Sequence, residues 1–301
     1  MVRDFRDDSD DNRRDDAPAP RSRDRALTDD TDRWSPSERL ALPRSSSRQP
    51  VALDRSRFML RESEIDLLST VGAFRAIQIS DLDTRDAARR ERTGHHTQGD
   101  LRSLREQGLL HTHSLVINGR SERVAVLTTK GRQLLERARV SRDGDEQPDQ
   151  QFYAGLGHAR EVAHDAQLYR LFETERTELQ AEGASVTRVV LDHQLKAEYH
   201  TYVHEQQQAG RAAGDARRAF AHEHDLPFAG GRIHLPDVRI EYRSADGQND
   251  HRDLELATEH YSRSQLSGKQ SAGFRVYRAA GAGGTRRGHA PSDPHHLQWL
   301  S

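Results

Sequence analysis

The sequence predicts a mixed fold, α+β in an N-terminal block and α/β in a C-terminal block, carried between disordered tails. Three observations predict it. Apolar residues recur at helix and strand spacing in two stretches, 58–140 and 151–278. Asn118-Gly119 stands between two strand-like runs, the pattern of a hairpin. The remainder, 1–57 and 279–301, is rich in Asp, Arg, Pro, Ser and Gly, with too few apolar residues to offset the entropy of ordering. A chain of 301 residues, 33% hydrophobic and 31% charged, has room for two domains and tails but not for one continuous core.

In the first block, "RESEIDLLSTVGAF" places Ile65, Leu68 and Val71 at helical spacing, with Ser63 as a candidate N-cap. "RAIQIS" reads as a short strand, and Ser80 opens a helix in "SDLDTRDAA". "TQGDLRSLREQGLL" carries Leu101 and Leu104 on one face and stops at Gly108. "LLHTHSLVINGRSERVAVLT" is the hairpin, and "TTKGRQLLERA" closes with a helix. This order of helix, short strand, helix, helix, hairpin and helix is that of a winged helix-turn-helix.

Residues 140–150 read as a linker. In the second block, Val162, Ala166, Tyr169 and Phe172 form a helical stripe, and "ASVTRVVLD" is a strand. A long polar, Ala-rich helical insertion follows at 194–225, broken near Gly210–Gly214. "DVRIEYR" alternates, with Val238, Ile240 and Tyr242 on one face; "HRDLELAT" is a third strand, "SRSQLSGKQSA" a helix and "GFRVYR" a last strand. Without the insertion the order is αβββαβ.

The absence of cysteine excludes disulfides, thiolate metal sites and a cysteine nucleophile, and fits a reducing cytoplasm. No apolar run reaches the roughly 20 residues that span a bilayer, and the N-terminus has no hydrophobic signal region. A cytoplasmic protein without a membrane partner is expected. Only three of the 46 Lys and Arg residues are lysines, at 130, 196 and 269, a bias that points to a GC-rich bacterial or archaeal genome. Arginine does not easily replace a lysine that must enter a small site as a compact ammonium, so each lysine carries information.

The net charge of −2 means that attraction to nucleic acid must be local. It is local here, with twelve basic against six acidic side chains from Arg85 to Arg139. The helix starting near Thr97 would enter the major groove of double-stranded DNA, with Gln98, Arg102 and Arg105 facing outward. Arg120 and Arg123 at the hairpin tip would touch phosphate or the minor groove. Use of the same block for protein contact is the alternative.

In "LPDVRIEYRSADGQNDHRDLELATEHYSRSQLSGK", Asp237 begins one strand and Glu255 lies on the next, eighteen residues later. Two carboxylates on adjacent strands suit Mg²⁺, which takes oxygen ligands. Asp253 shares the Glu255 face; Leu254 and Leu256 take the other. His164-Asp165 or Glu161, on the preceding helix, would add an acidic or proton-handling group. His200 and His204 have i, i+4 spacing but no accompanying glutamate, which reads as a solvated helix rather than a zinc site. "GLGHAR" lacks the third glycine and the preceding strand of a dinucleotide fingerprint.

Residues "RESEIDLLSTVGAFR", "DLRSLREQGLL", "VLTTKGRQLLE" and "LPDVRIEY…LELATEHY" carry a resemblance, over 58–278, to the bacterial replication-relaxation family, proteins associated with plasmids and mobile elements. The second block is also similar in element order to the PD-(D/E)XK nuclease superfamily, which implies a restriction-endonuclease-like domain. In that pattern the lysine belongs at Ala257; related nucleases place it on the following helix, where this chain has Lys269. The resemblance therefore implies Asp237, Glu255 and Lys269 as catalytic, with Mg²⁺ on Asp237 and Glu255. The leading expectation is DNA binding in replication or transfer of a mobile element. The alternatives are a Mg²⁺-dependent endonuclease, and a transcriptional regulator whose non-catalytic second domain serves self-association, for instance as a homodimer.

Overall fold

The first turn of the first helix is fastened from outside. The N–H of Arg61, at the N-cap, is accepted by Glu64 Oε2 at 3.1 Å, and Glu64 in turn takes Arg48 at 2.7 Å. This helix, α1, therefore runs Glu62–Ala73, and the expected cap Ser63 lies inside it, buried. A computed structural model describes residues 34–83, 97–117, 119–140, 149–157, 159–257, 261–278 and 298–299. Most of the expected tails, Arg85 to Arg92 of the basic stretch, Asn118 and most of the linker lie outside the described residues.

Strand β3 (Ile77–Gln78) follows α1, and a helical turn opens at 79–83, one residue before Ser80. Helix α2 spans Thr97–Glu106 and buries Leu101 and Leu104. Strands β4 (Leu110–Ile117) and β5 (Arg120–Leu127) pair antiparallel from Leu110↔Leu127 to Ile117↔Arg120, a two-residue hairpin. Gly119 at φ 75° supplies the left-handed turn. The sheet order is β3-β5-β4. Helix α3 (Thr129–Arg137) is capped by Thr128, whose side chain accepts from Gly131 N.

Residues 34–57 depart from the expected disorder. Strands β1 (Gln49–Leu53) and β2 (Ser56–Leu60) form a hairpin, and Trp34, Leu40, Leu53, Phe58 and Leu60 are buried. Burial of five large apolar side chains offsets the ordering of the polar residues between them.

The second block opens with α4 (Ala159–Ala181), then β6 (Ser185–Leu191). The insertion is two helices, α5 (Asp192–Gln208) and α6 (Ala213–Glu223), followed by the small pair β7 (Phe228–Ala229) and β8 (Arg232–Ile233). Strands β9 (Val238–Arg243) and β10 (Asn249–Ala257), helix α7 (Arg263–Ser271) and β11 (Arg275–Arg278) complete it. Strand β12 (Gln298–Trp299) pairs with β11, so the expected C-terminal tail returns to the sheet there. The five-stranded order is β12-β11-β10-β9-β6, with only the β10–β11 pair parallel. The molecule is thus a mixed α/β protein with several small sheets.

From Trp34 onward the chain forms one unit. Phe74 at the end of α1 stands 5.2 Å from Tyr169 and 5.1 Å from Phe172 of α4, and Trp34 lies 4.8 Å from Phe172. The end of the expected linker is docked as well: buried Gln150 donates to Val189 O at 2.8 Å and accepts from Val189 N at 2.9 Å. The two blocks share one apolar core instead of hanging on a free linker.

Candidate functional site

Antiparallel pairing brings the acids together. The register ends with Val238 facing Leu254, and Asp237 N donates to Leu254 O at 3.0 Å, which keeps Asp237 close enough to Glu255 for its charge to act there. On the other side Leu191 faces Val238, and Asp192 N donates to Asp237 O at 3.1 Å. Asp192 follows the end of β6, Asp237 precedes β9, and Glu255 lies within β10, so the three acids belong to neighbouring strands in the order β6, β9, β10. Leu254 and Leu256 point into the apolar core, and Asp253 is neutralised by Arg239 at 2.7 Å.

The β9–β10 ladder ends at the Val238–Leu254 pair. Beyond it the Asp237 side chain stands in for a strand carbonyl, with Oδ2 accepting from Leu256 N at 2.8 Å. Glu255 is 1% exposed. Its Oε2 accepts from Lys269 Nζ at 2.9 Å and its Oε1 from Tyr261 OH at 2.6 Å. Lys269 also donates to Leu235 O at 2.9 Å and lies over the Phe274 ring. Burial and the neighbouring charge of Asp237 push the Glu255 carboxyl above the usual carboxylate range, against the pull of Lys269. Ala257 is buried beside Phe274 and Val276, in an apolar pocket that would strip water from a lysine at that position. The ammonium arrives from α7 instead.

The N-terminal turns of α4 close the other side. His164 Nε2 is 3.4 Å from Asp237 Oδ2, and its Nδ1 is 3.8 Å from Asp165 Oδ1. Burial opposes the imidazolium, yet Asp165 and Asp237 outweigh it and raise the His164 pKa to about 10. Asp165 is held by Arg75, beyond the end of α1, at 2.9 Å, and Glu161 lies 4.0 Å from the same guanidinium. Arg75 adopts φ 62°, a costly left-handed conformation for a residue with a Cβ. Gly157 leaves it room, since a Cβ there would stand 2.8 Å from the guanidinium. That is the packing reason for one glycine of "GLGHAR".

The donor set suits a hard cation. Asp237 Oδ1 makes no hydrogen bond among the described residues, and the charge of Asp237 acts on Glu255. No group of three His, Cys, Asp or Glu side chains is placed to hold a metal ion among the described residues. Mg²⁺ does not require one, because it keeps several waters and is commonly held by one or two carboxylates plus substrate phosphate. Asp237, with one oxygen unbonded among the described residues, fits that manner of binding, and Glu255 would have to share oxygens that Lys269 and Tyr261 already hold.

In the first block, Gln98, Arg102, Arg105, Arg120 and Arg123 are all exposed. Gln98 donates to Asp83 at 2.9 Å. The four arginines make no ion pair among the described residues. Asp100 on the opposite side of α2 is buried and pairs with Arg61, which fixes the outward face. The sequence motifs did not single out Arg75, Asp192 or Tyr261; a left-handed backbone brings the first, strand pairing the second, and the approach to α7 the third. No family model, curated protein or solved structure matches the chain. No helix among the described residues is long and apolar enough to cross a membrane.

Proposed function

We propose that the chain binds double-stranded DNA through α2 and the β4–β5 hairpin as a winged helix-turn-helix, in replication or transfer of a plasmid or mobile element. The supporting observation is the outward face of Gln98, Arg102, Arg105, Arg120 and Arg123, with Leu101 and Leu104 locking α2 against the core. Guanidinium groups on an exposed helix suit guanine edges and phosphates. A mobility shift that weakens with salt and is lost in Arg102→Ala/Arg105→Ala is the expected result. Wild-type binding by the double variant would remove α2 from the interface.

The Lys269–Glu255 contact favours a second activity, Mg²⁺-dependent cleavage of DNA by a PD-(D/E)XK-like α/β domain. Asp237 and Glu255 would hold the ion, which when bound polarises a phosphate and acidifies its water. Lys269, held beside Glu255, would offer its ammonium to charge developing on the phosphate. His164 holds Asp237 on its protein side, and Tyr261 keeps Glu255 oriented. Supercoiled plasmid should be nicked in Mg²⁺ but not in EDTA, and Asp237→Asn or Lys269→Met should bind DNA without nicking it. A wild-type chain that binds but cuts neither supercoiled, linear nor single-stranded DNA would be a binding module alone.

A further inference from the structure

Lys196 is the other lysine at this site, and the cleavage reading leaves it unused. It lies one turn into α5 and pairs with Asp192, whose N–H is bonded to Asp237 O. Elsewhere among the described residues, ion pairs three or four apart on one helix use arginine: Arg132–Glu136, Arg176–Glu173 and Arg218–Asp215. Such pairs contribute only about 0.3–0.5 kcal/mol, so helix stability does not call for a lysine here. What distinguishes position 196 is its place beside the row of carboxylates.

Lys269 is 19% exposed and committed to Glu255 and Leu235 O, whereas the Lys196 side chain is 56% exposed. Burial lowers its affinity for a proton, but Asp192, Asp237 and Glu161 outweigh this and raise its pKa. An anionic strand approaching this row meets the Asp192 and Asp237 carboxylates, while Glu255 is buried and already paired with Lys269. It needs a cation that can leave its partner and follow the phosphate. A compact ammonium on a flexible four-carbon stem does this better than a planar guanidinium.

We propose that Lys196 is a phosphate-positioning residue, swinging from Asp192 onto a DNA backbone phosphate that lies across Asp237 and Glu255. Its place rests on the cleavage reading; its charge can be tested without cleavage. The full chain is titrated with a short duplex in Ca²⁺ over a range of salt, as wild type, Lys196→Ala and Lys196→Arg. Loss of one phosphate contact makes the slope of log K against log salt shallower by about 0.9 in the alanine variant. The arginine variant keeps the wild-type slope. Thermal stability of all three should agree, since the side chain is exposed. In Mg²⁺, the alanine variant should raise KM about tenfold and change kcat less. An unchanged slope in Lys196→Ala overturns the proposal, whatever the cleavage assay shows. A shallower slope with a wild-type chain that never cuts keeps the phosphate contact and removes the cleavage reading.

Discussion

A buried Glu255 carboxylate needs its cation. Lys269 supplies it at 2.9 Å, and Tyr261 takes the second oxygen. Removing one partner of such a pair leaves a buried charge uncompensated, which typically costs about 3–5 kcal/mol. Urea unfolding of Lys269→Met should show a loss of that order. Glu255→Gln combined with Lys269→Met should recover most of it, and equal losses in the single and double variants would disprove the pairing. His164 makes a separate prediction. Its folded pKa, about 10, stands above its ordinary value of 6.5 because Asp165 and Asp237 outweigh burial. The stabilisation it gives is fully present below pH 6.5 and is lost as pH rises through about 10. In EDTA, the stability gap between wild type and His164→Gln should therefore be widest below pH 6.5 and close toward pH 10. A gap constant over that range would mean the imidazolium is not held by these acids.

Glycines on neighbouring elements obey opposite rules. A Cβ at Gly131 on α3 would lie 2.3 Å from Leu109 O, a backbone atom that cannot turn aside. At Gly99 on α2 a Cβ would meet nothing within 4 Å. Gly131→Ala should cost about 1–3 kcal/mol by overpacking, and Gly99→Ala should add up to about 1 kcal/mol through helix propensity. Thermal melts that ranked the two the other way would refute the close approach of α3 to Leu109. Legibility also varies by element. The β4–β5 hairpin was readable from Asn118-Gly119, and the break between α5 and α6 from Gly210 to Gly214, because local backbone chemistry decides both. Strand β9 was readable in its alternation, except that Arg239 is buried too, bound to Asp253 across the register. Residues 34–57 were not readable as ordered, because their apolar side chains are scattered among charges and are buried through the β1–β2 pairing and packing on distant helices. Asp237, Glu255 and Lys269 could be named from the sequence, but their approach depends on pairing of β9 with β10 and packing of α7, which no local pattern encodes.

The sharing of one core between the two blocks has consequences for the whole molecule. Helix α4 packs apolar residues toward both: Tyr169 and Phe172 meet Phe74 and Trp34, while Leu168, Leu171 and Leu179 join the cluster that holds Val189, Val238, Ile240, Leu254 and Leu256. Two further ties cross the same junction, Arg170 with Asp81 at 2.6 Å and Arg75 with Asp165 at 2.9 Å. The second reaches the acid site itself, since Asp165 flanks the imidazole that meets Asp237. A C-terminal block cut free at the linker would expose Phe172 and leave Asp165 without its guanidinium. Phe172→Ala should therefore lower stability by about 3–5 kcal/mol, and the loss should be felt in both blocks at once. With Trp299→Phe leaving Trp34 as the single tryptophan, fluorescence reports the junction, and far-ultraviolet circular dichroism reports the helices throughout; both should trace one transition with a common midpoint. Separate midpoints, with only the first moved by Phe172→Ala, would mean that the blocks fold independently and that Arg75 is a surface contact instead of a part of the site.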